Sequence, residues 1–351
     1  MIDLHTHILP KTWPSWTDRS GYAGWIELAH HKPGCARMQA TTSTDGATPP
    51  RFFREIGDNC WDPRVRMDFM DAHGVRMQAL STVPIMFSTW AKPQDAYDLH
   101  RLLNDHIAEV CRERPDRFAG LACLPMHDPD LACRELERSM TQLNMRGVQI
   151  GTHIGGVNLD EPGPKRILAR AAELNAAVFI HPWDMLGSEG GERSRLARYW
   201  MPWLVGMPTE TTIAIMSILF GGVLEASPNL RCCFAHGGGS FPGTIGRISH
   251  GLAARPDLFP AGSKDPAAYL ASVGPAGVTP AKFWVDALVH DAAALRHLIA
   301  MFSPGRVCLG TDYPFPLGEH IPGELLASLP EITGTARQQI LSSAARAFLG
   351  M

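Results

Sequence analysis

Four places in the sequence put residues of metal-ligand or base type beside short apolar runs: His5-Thr6-His7, His181 in HPWDM, His236 in AHGGG and Asp312 in GTDYPF. In a strand, residues i and i+2 point to the same face, so His5 and His7 can present ring nitrogens to one ion. Those two imidazoles, a third from His181 and an oxygen from Asp312 make an N3O set suited to Zn²⁺, with one position left for water. A metal lowers the pKa of its water to about 7, and His236 is of the right type to take that proton. Gly237, Gly238 and Gly239 would let the backbone pass close to a ligand. The alternative for His236 is a fourth nitrogen ligand. Singly, each residue has an ordinary explanation; Asp312 before Tyr313-Pro314 is also what a turn looks like. Joint placement at the ends of four strands points to a metal centre.

The elements that must position these residues follow from periodicity. Eight short apolar runs end in turn or polar residues: 2–7, 75–83, 118–126, 147–152, 177–181, 230–236, 283–288 and 307–312. Between them lie stretches with apolar residues at i, i+3 and i+4, such as 96–112, 131–143, 165–174, 210–224 and 292–301. That alternation predicts parallel βαβ units, and eight of them predict a distorted (β/α)8 TIM barrel with its site at the C-terminal ends of the strands. Two segments fall outside the repeat. Residues 11–60, with Trp13, Trp16, Trp25 and the polar run Thr41-Thr42-Ser43-Thr44-Asp45-Gly46, read as an insertion after strand one. Residues 186–208, ending in Tyr199-Trp200-Met201-Pro202-Trp203, read as a loop covering the mouth. At 351 residues the chain is long enough for two domains. Reactive residues on strands one, five, six and eight instead require both chain ends to close on one site, so the expectation is one barrel domain spanning 1–351.

Composition excludes several classes. A net charge of −3, with 45% hydrophobic and 19% charged residues, is that of an ordinary globular protein without a nucleic-acid footprint. The 213–224 apolar stretch is interrupted by Ser217, Gly221 and Gly222 and falls short of the ~18 residues a spanning helix needs. With no basic and apolar leader at Met1, the expectation is a cytoplasmic protein that does not bind membranes. Eight cysteines without a CxxC pair support neither a disulfide framework nor a zinc ribbon. Of the 32 bases only six are lysine, a skew toward arginine that suits carboxylate clamps. The remaining histidines lie in loops or helices and read as packing residues; His153, near the end of strand four, is ambiguous.

The strand-end set resembles the amidohydrolase superfamily. GYAGWIELAHH (21–31), NCWDPRVRM (59–67), ALSTVPIMFSTWAKP (79–93), GVQIGTH (147–153), YWMPWLVGMPTETTIAI (199–215), CFAHGGGSFP (233–242), GRISHG (246–251), DALVHD (286–291) and LGTDYPFPLGE (309–319) more closely resemble the 2-amino-3-carboxymuconate 6-semialdehyde decarboxylase family. The resemblance implies one Zn²⁺ per chain held by His5, His7, His181 and Asp312, with His236 activating the water. Strand four offers no lysine or carboxylate of the kind that bridges two ions, which favours one metal. It further implies Arg54 as a substrate clamp, counted back from Trp61, with Arg51 the alternative because the Pro-rich stretch before it departs from the family pattern. Arg247, counted on from His236, is implied as a second clamp reaching the neighbouring site of a homodimer, and Trp203 and Met185 as pocket residues. A planar guanidinium grips a carboxylate through two parallel hydrogen bonds, which suits a small dicarboxylate substrate. The loop at 187–195 looks longer and more polar than the family pattern.

The activity so implied is oxygen-independent loss of CO2 in tryptophan (kynurenine) catabolism, with His236 or Asp312 returning a proton to carbon. Addition of an activated water and direct protonation of the substrate carbon both fit. Rival readings are a related decarboxylase of a carboxylated phenol such as a resorcylate, a lactone or amide hydrolase, and a silent zinc protein.

Overall fold

The computed structural model describes residues 1–186 and 194–351; the sequence feature noted at 187–195 falls mostly outside them. Eight strands form one parallel sheet in chain order: β1 (Ile2–Ile8), β2 (Met77–Thr82), β3 (Phe118–Cys123), β4 (Gly147–Gly151), β5 (Ala177–His181), β6 (Arg231–Phe234), β7 (Trp284–Asp286) and β8 (Val307–Cys308). Each overlaps one of the eight apolar runs. The sheet closes on itself beyond the short β8. There Leu4 N–H donates to the Leu309 carbonyl (2.9 Å), Asp312 N–H to that of His5 (2.8 Å) and His7 N–H to that of Tyr313 (2.8 Å). The result is the (β/α)8 barrel.

Inside the barrel, inward residues change character along each strand. Met77, Ala79 and Ser81 succeed one another on β2, and Ala177, Phe179 and His181 on β5. Their apolar members join the inner cluster with Leu121, Cys233 and Trp284. The C-terminal helix Ala344–Leu349 covers the bottom, packing Phe348 and Leu349 into that cluster. The alternate residues, Val148, Ile150, Val178, Ile180 and Phe234, face the surrounding helices. β1 departs from strict alternation: its register against β2 slips between Asp3 and Thr6. This bulge lets Ile2 and Leu4 fill the inner floor while His5 and His7 still turn inward above them. Bulges of this kind re-aim side chains beside active sites.

The insertion is more regular than its composition suggests. It forms a short helix (Trp16–Ser20) and a three-stranded antiparallel sheet of Ile26–Lys32, Cys35–Ala40 and Arg51–Gly57. Trp25, Met38 and Ile56 pack it onto the barrel rim beside Leu9 and Trp61. The apolar stretch that looked too short to span a membrane is part of a longer helix, because a π turn at Pro202–Gly206 runs directly into Met207–Phe220. Pro202–Phe220 is thereby long and apolar enough to cross a bilayer, but half of its apolar window is buried within the fold.

Strand spacing at the N-terminal end of the barrel, opposite the site, depends on Gly147, where an added Cβ would overlap the backbone carbonyl of Ala177 on β5. Gly147→Ala is expected to cost about 1–3 kcal/mol as β4 and β5 are forced apart. Gly251→Ala, on a helix with open space around it, should instead stabilise by up to about 1 kcal/mol. Thermal and urea melts of the two variants check this.

Candidate metal centre and substrate pocket

His5, His7, His181 and Asp312 come together at the mouth, their ligand atoms all within 4.8 Å of one another. Each imidazole is oriented by what its Nδ1 touches. His5 Nδ1 lies 2.8 Å from Asp286 Oδ2. His7 Nδ1 lies 3.0 Å from the Thr82 carbonyl oxygen, and His181 Nδ1 2.8 Å from that of Pro182. Carboxylates and carbonyls only accept, so each neutral ring carries its proton on Nδ1 and turns a bare Nε2 inward. The Nε2 atoms of His5 and His7 stand 3.2 Å apart, and Asp312 Oδ1 lies 3.4 Å and 3.0 Å from them. Lone pairs facing lone pairs cannot satisfy one another. His181 Nε2 and Asp312 Oδ1 are buried without a hydrogen-bond partner among the described residues, an arrangement that ordinarily costs about 1–3 kcal/mol per group. A divalent cation would satisfy all four atoms at once, and the donor set fits one.

The electrostatics follow from burial. Burial opposes charge on Asp312; positive charge on His7 and His5 beside it, the kind of charge that a bound cation would supply in their place, holds its carboxyl well below the usual range. Burial, reinforced by His5 and His236, holds His181 well below the ordinary imidazole value. His236 sits with its ring centroid 5.1 Å from that of His5 and 5.0 Å from that of His181. Burial and the neighbouring His5 push it down to about 4, so at neutral pH it is a base. Its φ of 54° opens a left-handed turn that continues through Gly237, Gly238 and Gly239, and a Cβ at Gly239 would overlap the Pro208 carbonyl.

Beneath the ligands, polar side chains fix the strand ends. Gln149, in the middle of β4, donates to the Thr82 carbonyl (2.9 Å) and accepts from Ser81 Oγ (2.6 Å). The fully buried Arg66 donates to Gln78 Oε1 (3.0 Å) and to the carbonyls of Asn59 (3.2 Å) and His7. Asp3 accepts from Thr311 Oγ1 (2.7 Å), and burial pushes its carboxyl up to about 7. His153 has a structural job: its Nδ1 accepts from Gly156 N–H (3.0 Å) and its Nε2 lies 3.1 Å from the Asp184 carbonyl oxygen.

Above the ligands lies a pocket whose walls are largely aromatic: Phe53, Trp183, Trp200, Trp203 and Phe315, with Arg54, His7, His181 and Asp312. Arg54 projects from the insertion sheet. Its guanidinium carbon lies 4.7 Å from the ring centroids of both Phe53 and Phe315, and Asp312 partly offsets the burial that penalises its charge. Arg51 is exposed at the start of the same strand and does not line the pocket. Trp203 lines it; Met185 does not, being buried against Gly206 instead. Arg247 is exposed on the helix Phe241–Ala254, away from its own chain's pocket. Phe53, Trp183 and Phe315 were not singled out from sequence, and neither was Asp286. The only available signal was their place in motif segments, Trp183 in HPWDM and Phe315 in GTDYPF.

Comparison with known proteins places this geometry among relatives. The profile of the amidohydrolase family matches residues 2–351. A 2-amino-3-carboxymuconate-6-semialdehyde decarboxylase of Dictyostelium discoideum is 50% identical over 351 residues, covering 100% of this chain and 91% of the relative. One of Caenorhabditis elegans is 35% identical, covering 97% and 92%. Among solved structures, a dihydroxybenzoic acid decarboxylase from Polaromonas sp. JS666, with bound manganese and 2-nitroresorcinol, superposes with a TM-score of 0.72 at 21% identity, covering 99% and 96%.

Metal-free protein should take up one divalent ion per chain. At a hundredfold excess over Kd the ion should add about 2.7 kcal/mol of stability, read as a rise in thermal midpoint, and His181→Ala or Asp312→Ala should abolish that rise.

Proposed function

From the premise that this chain belongs to the amidohydrolase family and, within it, to the 2-amino-3-carboxymuconate-6-semialdehyde decarboxylases, we propose that it converts 2-amino-3-carboxymuconate 6-semialdehyde to 2-aminomuconate 6-semialdehyde and CO2, with zinc and without oxygen, in tryptophan breakdown. As a family member it is a metal-dependent decarboxylase, a carboxy-lyase. The observation that carries the substrate is Arg54: a cation pressed between two phenyl rings in an aromatic slot beside the metal ligands. Such a slot selects a flat, conjugated anion, and the fork of Arg54 grips a carboxylate bidentately.

His5, His7, His181 and Asp312 would hold the ion; three imidazoles and one carboxylate suit zinc. When bound, it supplies Lewis acidity, polarising a substrate oxygen and making a coordinated water more acidic. The protein's own groups do the rest. Arg54 fixes the substrate plane, Trp183 and Trp203 exclude bulk water, and neutral His236 takes a proton from water and passes it to the carbon that the carboxyl group leaves as CO2. Asp312, held ionised, is assigned to the metal, and proton return to His236. Exposed Arg247 is the second clamp, donated across a homodimer. The exposed Leu204 and Val205, on the π turn that leads into the helix packed against Phe241–Ala254, are side chains that a partner copy would cover. Eight free thiols suit a reducing compartment, the cytoplasm.

Zinc-loaded protein should consume freshly generated substrate with one CO2 released per molecule lost, and a chelator should stop it. His236→Ala should keep one metal per chain while slowing turnover about 10²- to 10⁴-fold. Lactone opening without CO2 release would refute the decarboxylase reading. For the dimer, His236→Ala and Arg247→Ala chains, each nearly inactive alone, should regain up to about a quarter of native activity on mixing, because half the dimers are mixed and each has one intact site. No recovery would place Arg247 outside the site.

A further inference from the structure

We propose that Asp286 is a positioning residue that locks His5 in its metal-binding tautomer and, with its other oxygen, anchors the turn that carries His236. This rests on reading His5, His7, His181 and Asp312 as metal ligands. Asp286 ends β7 and is fully buried. Its two oxygens serve two different parts of the site. Oδ2 lies 2.8 Å from His5 Nδ1. Oδ1 accepts from Gly237 N–H at 2.9 Å and from Leu288 N–H at 3.1 Å.

His7 and His181 are oriented by neutral carbonyls; His5 alone among the three imidazoles is oriented by a carboxylate. A charged acceptor makes the stronger hydrogen bond and the more basic ligand nitrogen opposite it. The pair is also confined from outside. A Cβ on Gly310 would come within 2.9 Å of the Cβ atoms of both Asp286 and His5, so the backbone following β8 lies tightly against the two. The second oxygen matters because His236 and Gly237 adopt successive left-handed conformations, φ 54° and 63°. A non-glycine residue held there needs surrounding contacts to hold it, and the Gly237 N–H bond to Asp286 is one. Strand β7 thus ties the ligand on β1 to the base after β6.

Asparagine tests this because it keeps the shape and changes one oxygen from acceptor to donor. With its carbonyl toward Gly237 and Leu288, its NH2 faces His5 Nδ1, which must then accept. The His5 proton moves to Nε2 and the ring leaves the ligand set. With the amide reversed, an NH2 faces two N–H groups and the turn loses its anchor.

The experiment titrates metal-free native protein and Asp286→Asn with Zn²⁺ against a chromophoric chelator. It also records long-range ¹H–¹⁵N imidazole spectra of both at about pH 9, well above the ordinary histidine value. Native protein should show His5 protonated at Nδ1. Asp286→Asn should bind zinc about 10- to 100-fold more weakly and show a new Nε2–H signal from His5. Zinc affinity within twofold of native overturns the proposal, and so does a native His5 protonated at Nε2. The latter observation needs no variant, so a poorly folded Asp286→Asn does not shield the proposal. Native protein that binds no zinc at all would refute the metal-centre reading itself, a different outcome from a native protein and variant that bind it equally.

Discussion

The molecule depends on lone pairs that face one another. Hydrogen bonds from three Nδ1–H groups, to Asp286 Oδ2 and to the carbonyls of Thr82 and Pro182, turn three bare nitrogens toward the Asp312 carboxylate. Without a cation these atoms repel; with one they bind. Much of the surrounding architecture serves to keep them from turning away. Gln149 and Ser81 steady the Thr82 carbonyl or its strand, and Arg66 grips the His7 carbonyl from below. Below that polar layer the barrel is filled with apolar side chains, Phe179 and Leu121 among them. The barrel closes only where 309–313 pairs with β1, so Asp312 and His5 are brought together by the act of closure. Ligand geometry and barrel integrity are therefore one property.

The substrate side is built on different elements. Arg54 and Phe53 come from the insertion sheet, Trp200 and Trp203 from the segment after β5, and Phe315 from the loop after β8. These meet over the metal ligands without forming part of the barrel. The guanidinium between two rings is partly desolvated before any substrate arrives, which strengthens its attraction for a carboxylate and reduces the reorganisation needed to bind one. On the proposed reading the two groups divide the labour: Arg54 holds charge and neutral His236 moves a proton.

What the sequence made legible follows from which interactions are local. Eight apolar runs of strand length survive as eight strands because burial on both faces imposes continuous hydrophobicity, and His5 and His7 stay two apart in any register. The bulge in β1 was not legible, because Leu4 and His5 both face inward only through pairing with β2. The insertion's strands were masked by Gly, Pro and Thr residues that read as loop. Asp286 was hidden for another reason. Its role is defined by residues 281 and 49 positions away, and a lone aspartate at a strand end carries no mark of either partner. The helix Pro202–Phe220 passed unnoticed as a unit because Pro202, Gly206 and Pro208 look like breakers, whereas Pro is tolerated in a first turn and the π turn absorbs the rest.

The separation between a metal-holding barrel and a substrate-holding rim has a consequence for specificity. The Nδ1 partners of the three imidazoles lie inside the barrel, and none of them is in the insertion. The proposed substrate contacts, Arg54, Phe53 and the tryptophans, line the pocket, and none of them belongs to the ligand cluster. Replacing the rim would leave the ion and the base in place while offering them a different conjugated acid. A change inside the barrel acts in the opposite way. Losing the Nδ1 acceptor of any one imidazole would free that ring to reverse its tautomer, and on the proposed reading the ion would be lost while every pocket residue stayed in place.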